Sequence, residues 1–217
     1  MKNQKSFVKE QLLELLKLIK MERRVVITGL GVVAPNGVGL EDFKSALKEG
    51  RSGIQFDQQL ADLKFSCQVS GTPPIDKNNV DEYFTDLELR NFNSTGIMYG
   101  VIAGLEAWKD AGLQISEGKN PDWDSGTIFG TGTSGIEKFR ESIYKIDALQ
   151  TRRLGSTAVS QTMNSGISAY LGGKLGLGNQ VTTNSSACTT GTESILMAFD
   201  RIKSGKAKRI LAGSTSD

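Results

Sequence analysis

No histidine occurs anywhere in the 217 residues, and this absence excludes more chemistry than any other feature of the composition. Imidazole is the side chain that moves protons near neutral pH and the usual activator of a cysteine nucleophile. Only two cysteines are present, Cys67 and Cys188, far apart in sequence. Two isolated thiols without imidazole do not make a zinc site, so no metal and no other cofactor is expected. Nor do they make a disulfide framework. With no evident signal peptide, the simplest setting is reduced and cytoplasmic. No run of 18 apolar residues exists, so no membrane span is expected. The net charge is only +2, and the densest basic run, residues 203–209, reads as the solvated end of a helix. Nucleic acid is therefore not an expected partner.

What is present centres on Cys188. Residues 181–186 are rich in Thr and Ser and read as a short extended run. Beyond the cysteine, Ile195, Leu196, Phe199 and Ile202 recur at i, i+1, i+4 and i+7, one face of a helix closed by Gly205. Residues 209–213 read as a further strand. Cys188 is thus expected at a helix N-terminus, where unpaired amides and partial positive charge favour the nucleophilic thiolate. The small neighbours Ala187 and Gly191 would leave room for a substrate carbonyl. The Cys188 amide would then face the developing oxyanion. A buried packing role is the competing reading, since free cysteine behaves as a small hydrophobe. Cys67 lacks any accompanying motif and is assigned that packing role.

The remainder predicts an α/β fold with a largely parallel sheet covered on both faces. Val25-Val-Ile-Thr28 reads as a buried parallel strand. Leu40, Phe43 and Leu47 mark a short helix ended by Gly50, and residues 51–86 read as an irregular excursion. A longer helix spans residues 93–111. Gly126-Thr-Ile-Phe-Gly-Thr-Gly132 is a strand entering a glycine-containing loop, and residues 157–175 read as helical. Gly29-Leu-Gly31-Val-Val-Ala34 matches a dinucleotide-binding fingerprint in form. The following Pro35-Asn-Gly37 is a turn signal that denies it the immediate helix such a site needs. Residues 7–20 form an amphipathic pattern that suits a membrane surface or a partner. Because Met21 would itself serve as a start, residues 1–20 are read instead as an upstream extension, and residues 21–217 as one domain.

Arg24-Val-Val-Ile-Thr-Gly-Leu-Gly-Val-Val-Ala-Pro-Asn-Gly37 closely resembles the opening of β-ketoacyl-acyl-carrier-protein synthases of the elongating type. Ser185-Ser-Ala-Cys-Thr-Thr-Gly191 resembles their active-site cysteine motif, and residues 103–113 and 130–132 fit between the two. The resemblance implies a thiolase-like fold, of which this chain would be the N-terminal half. It implies that Cys188 accepts an acyl group from acyl carrier protein for decarboxylative condensation with a malonyl group carried the same way. It places Gly132 and Thr133 at the acyl pocket, with Thr133 where relatives often carry a bulkier gating side chain. It also implies a homodimer paired through residues 181–185.

Departures from the pattern matter too. The catalytic histidines, lysine and second oxyanion donor of relatives belong to a C-terminal half that is not in this sequence. The expectation is therefore a chain that condenses nothing alone and pairs with its missing half or with a second copy. Gly176-Leu-Gly-Asn-Gln180 replaces a Gly-Leu-x-Gly-Pro turn, and Ser134-Gly135 replaces a Gly-Gly pair. A non-catalytic partner or scaffold subunit, like the chain-length-determining relatives, is the alternative; those usually lack the cysteine. A thiolase or initiating-type synthase fits the two end motifs less well.

Overall fold

A computed structural model describes residues 23–116 and 120–216; the amphipathic segment predicted at residues 7–20 lies outside them. The first strands among the described residues form a tight hairpin, β1 (Val33–Ala34) against β2 (Gly37–Val38), turning on Pro35 and Asn36. Gly37 is required there, because a Cβ would lie 2.6 Å from the Phe43 amide nitrogen. Helix α1 (Leu40–Glu49) follows, with Glu41 and Asp42 in its first turn, Lys48 in its last and Gly50 at φ 64° closing it. The helix therefore starts after a hairpin and not within the glycine run.

The next stretch is more ordered than its polar sequence suggested. Strands β3 (Gln55–Phe56) and β4 (Val69–Ser70) pair antiparallel around helix α2 (Gln58–Asp62). Helices α3 (Lys77–Tyr83) and α4 (Asp86–Leu89) each begin with a reciprocal capping box, from Asp76 with Asn79 and from Thr85 with Glu88. These caps are local side-chain signals that hydrophobic periodicity does not register. The long helix α5 (Thr95–Asp110) matches its predicted span closely.

Strand β5 (Ser125–Gly130) is buried along its whole length and forms the middle of a three-stranded parallel sheet. After it come α6 (Ile136–Asp147), α7 (Ala158–Thr162) and α8 (Gly166–Leu175). The edge strand β6 (Val181–Thr182), helix α9 (Thr190–Lys203) and strand β7 (Arg209–Ser214) complete the chain. The sheet order is β6-β5-β7, with Thr127 opposite Leu211 and Phe129 opposite Gly213. Alternation along β5 assigns the faces. Phe129 and, from α8, Ile167 both meet α5 at Gly100, while Gly130 meets α9 at Thr190. Helices thus cover both faces of a parallel sheet, as predicted.

The core lies on the α5–α8 side, where Ile97, Val101, Ile167, Leu171 and Leu175 are fully buried. Each such side chain contributes about 1.5–3 kcal/mol relative to exposure. Ser168 is a polar residue on this side, and its Oγ lies 2.8 Å from the Phe129 carbonyl oxygen and 2.7 Å from that of Thr182. It satisfies itself on the sheet backbone instead of facing the core unpaired.

Three expectations are corrected. The run at residues 25–28 forms no strand, and Val26 and Ile27 are exposed. Just beyond it, the Leu30 and Val32 amides donate to Asp110 Oδ2 (2.9 Å) and Glu106 Oε2 (2.7 Å) of α5. Gly31 lets the chain lie against that helix, where a Cβ would sit 2.0 Å from the Ala103 carbonyl oxygen. Carboxylates on α5 thus hold the chain just beyond the run against that helix. The helix expected over residues 157–175 is broken at Met163, whose backbone is extended, giving α7 and α8. Cys67 is exposed instead of packed, its Sγ 3.9 Å from the Val69 carbonyl oxygen.

Candidate functional site

The carboxyl end of β5 and the amino end of α9 meet at the predicted site. Cys188 occupies a single 3₁₀ turn, Ala187–Thr189, that runs directly into α9, and it is exposed. Its predecessor Ala187 has φ 51°, a left-handed conformation that an alanine adopts only when its surroundings impose it.

Those surroundings are polar and dense. The Thr190 Oγ1 donates to the Ala187 carbonyl oxygen (2.7 Å) and accepts from the Ser186 amide (3.0 Å). The Asn184 Nδ2 donates to the Thr190 carbonyl oxygen (2.9 Å) and to Glu193 Oε2 (3.2 Å), while Ser194 Oγ donates to Asn184 Oδ1 (2.7 Å). The Ser186 hydroxyl donates to the same Glu193 oxygen in a short contact. The bonds from Ser186 and then Asn184 hold the Glu193 carboxyl below the usual carboxylate range. Gly130 permits this packing: a Cβ there would lie 2.3 Å from Thr190 Cγ2 and 2.4 Å from the Asn184 carbonyl oxygen.

Gly132 and Thr133 lie in the loop between β5 and α6, both exposed. A Cβ on Gly132 would be 3.7 Å from the Ala187 Cα, so the loop lies beside the cysteine turn. Thr133 is fixed through its carbonyl oxygen, which accepts from the buried Thr131 hydroxyl. Asn164, just before α8, spans the two loops: its Nδ2 donates to Ser185 Oγ (3.3 Å) and reaches the Gly132 carbonyl oxygen (3.5 Å).

The predicted Gly132 thus lies beside the turn that carries Cys188, and Thr133 follows it in the same loop. Gly191 also has a packing role. A Cβ there would lie 2.6 Å from Ser214 Oγ, so its smallness lets α9 approach β7. Sequence reasoning missed Asn164, Thr190 and Glu193. Glu193 had a signal, an acidic residue in the first turn of a predicted helix; Asn164 had none, because its role depends on two loops meeting. Neither of two shallow clefts reaches Cys188: one follows the carboxyl end of α9, and the other runs between α3, α4 and α5. Among the described residues no helix is long and apolar enough to cross a membrane.

Known proteins give the arrangement a context. Residues 22–217 match the family described as "Beta-ketoacyl synthase, N-terminal domain". The chain is 34% identical over 197 residues to 3-oxoacyl-[acyl-carrier-protein] synthase 1 of Buchnera aphidicola subsp. Schizaphis graminum, covering 88% of this chain and 46% of that protein. It is 32% identical to the Escherichia coli (strain K12) protein of the same description, with the same coverage. The chain thus spans about half the length of the curated relatives it matches. Among solved structures, a β-ketoacyl synthase from Burkholderia phymatum STM815 aligns with TM-score 0.70 at 24% identity, covering 85% of this chain and 45% of the other. The ishigamide ketosynthase/chain length factor aligns with TM-score 0.74 at 24% identity, covering 89% and 47%. The fold is accordingly the thiolase-like fold of ketosynthases, with the parallel sheet and flanking helices described above.

Proposed function

Because the chain belongs to the β-ketoacyl synthase family, matching its N-terminal domain, we propose that Cys188 is the nucleophile of a condensing acyltransferase. The reading is carried by one observation: an exposed thiol at the head of α9, on a left-handed turn beside the Gly132 loop. The thiolate would attack the thioester carbonyl of an acyl group borne by acyl carrier protein. The carrier thiol would leave, and the acyl group would remain on Cys188. A malonyl thioester would then lose carbon dioxide, and its carbanion would attack the acyl-enzyme, releasing Cys188 and lengthening the chain by two carbons. The Cys188 amide would supply one oxyanion donor.

This chain brings no imidazole to that second stage. Stabilising the carbanion and moving protons is typically worth 10²- to 10⁴-fold for each general acid or base. Residues 21–217 are proposed as the acyl-accepting domain, with the condensing step dependent on residues from a second domain or polypeptide. Incubation with an acyl-acyl-carrier-protein, followed by intact-mass measurement, tests the first stage. A mass increase of one acyl group is expected, and Cys188→Ala should abolish it. No malonyl-dependent elongation is expected from the chain alone; turnover without a partner would refute the division of labour. Thr133→Ile should shift the preferred acyl length of the loading reaction, and unchanged preference would remove Thr133 from the pocket.

A second reading, a non-catalytic partner subunit, draws on the apolar side chains that α9 exposes, Ile195, Leu196 and Phe199. Absence of acyl transfer to Cys188, together with binding to a complete synthase, would favour it.

A further inference from the structure

We propose that Glu193 is a positioning residue for Cys188, its Oε2 atom holding the turn that presents the thiol; the inference rests on the nucleophile reading above. The turn spans Asn184 to Ala187 and ends in a left-handed alanine. Left-handed backbone at a non-glycine residue persists only while neighbouring groups over-determine it. Two of the groups that hold this turn, the Ser186 hydroxyl and the Asn184 amide, converge on one oxygen of Glu193. Glu193 sits on the first full turn of α9, one turn beyond Thr190, which holds the Ala187 carbonyl oxygen. The helix that begins at the cysteine thus reaches back and fixes the approach to it.

The simpler role for an acidic residue here is to complement the helix dipole, which requires charge. Holding the turn requires only an acceptor oxygen. Glu193→Gln separates the two, because the amide oxygen can replace Oε2 for both donors while the charge is lost. Glu193→Ala removes both.

Cys67 makes the measurement internal to the protein. It is exposed, carries a free thiol and lies in the distant segment between α2 and β4. The intact chain is alkylated with iodoacetamide, and peptide mass spectrometry gives the ratio of Cys188 to Cys67 modification rates. Cys67, already exposed in the fold, serves as the reference thiol, so a change in the ratio reports Cys188, with circular dichroism checking that each variant stays folded. The ratio should fall about tenfold or more in Glu193→Ala, in line with losing hydrogen bonds to a charged group. It should stay within about twofold of the parent in Glu193→Gln. An unchanged or raised ratio in Glu193→Ala overturns the proposal, as does an equal fall in Glu193→Gln. If Glu193→Ala does not fold, as judged by circular dichroism, Ser186→Ala decides. A fall of about threefold supports the latch, and no change overturns it. The readout uses no acyl donor. Failure of acyl loading in the parent chain therefore counts against the proposed function, and failure of the ratio counts against Glu193.

Discussion

The two faces of the central sheet are built differently. On one, α5 and α8 pack against β5 through Ile97, Val101, Ile167, Leu171 and Leu175, and solvent reaches none of these side chains. On the other, α9 turns small residues inward, Thr190, Ser194 and Ala198. Its larger side chains point away: Ile195 and Leu196 are 55% and 57% exposed. The closed face holds the fold together, whereas the open face carries the cysteine turn and leaves an apolar surface available. Separating the two lets the turn at the head of α9 be shaped by polar contacts while the core bears the stability.

Breaking the closed face should have the largest effect on stability. Leu171→Ala removes a fully buried side chain whose methyls pack against the Gly104 position, and a loss of about 2–5 kcal/mol is expected by urea unfolding. A loss below about 1 kcal/mol would mean that the core is loosely packed.

A smaller effect should come from the ion pair that ties α8 to α4. Lys174 Nζ donates to Glu88 Oε1 (2.5 Å) and to the Tyr83 carbonyl oxygen (2.8 Å). Burial alone would raise the Glu88 pKa; the bond from Lys174, with bonds from the Thr85 backbone and hydroxyl, outweighs it and lowers the value below 4.5. A carboxyl depressed on folding adds stability above its unfolded pKa, and that stability is lost as pH falls through the folded value. Glu88→Gln should therefore flatten the stability profile below about pH 4.5 and leave less to lose in acid. An unaltered acid profile would show that the pair is solvated.

The open face should give the smallest change. Ile195→Ser combined with Leu196→Ser is expected to shift stability by no more than about 0.5 kcal/mol per site. The same double variant should reduce self-association in sedimentation velocity, because it removes exposed apolar area. A stability loss near that of Leu171→Ala would erase the distinction between the faces.

Much of this was legible in advance, and the failures share a cause. Helices α1, α5 and α9 and strands β5 and β7 follow from periodicity, glycine stops and β-branched runs, all local signals. So does the position of Cys188 between a strand and a helix. Residues 25–28 carry the same local signature as a buried strand, yet the carboxylates of Asp110 and Glu106 draw the chain beyond them onto α5. Asn164 was invisible because its partners, Ser185 and Gly132, come from loops 21 and 32 residues away. Cys67 showed nothing to separate packing from exposure.

The sequence by itself determined the family, the order of most elements and the identity of the candidate nucleophile, because a motif and a hydrophobic period are written in neighbouring residues. The tertiary structure decided which sheet face closes, which carboxylate holds the cysteine turn and where the Gly132 loop lies. Those outcomes depend on atoms distant in sequence meeting within hydrogen-bonding or packing range, which no local pattern encodes.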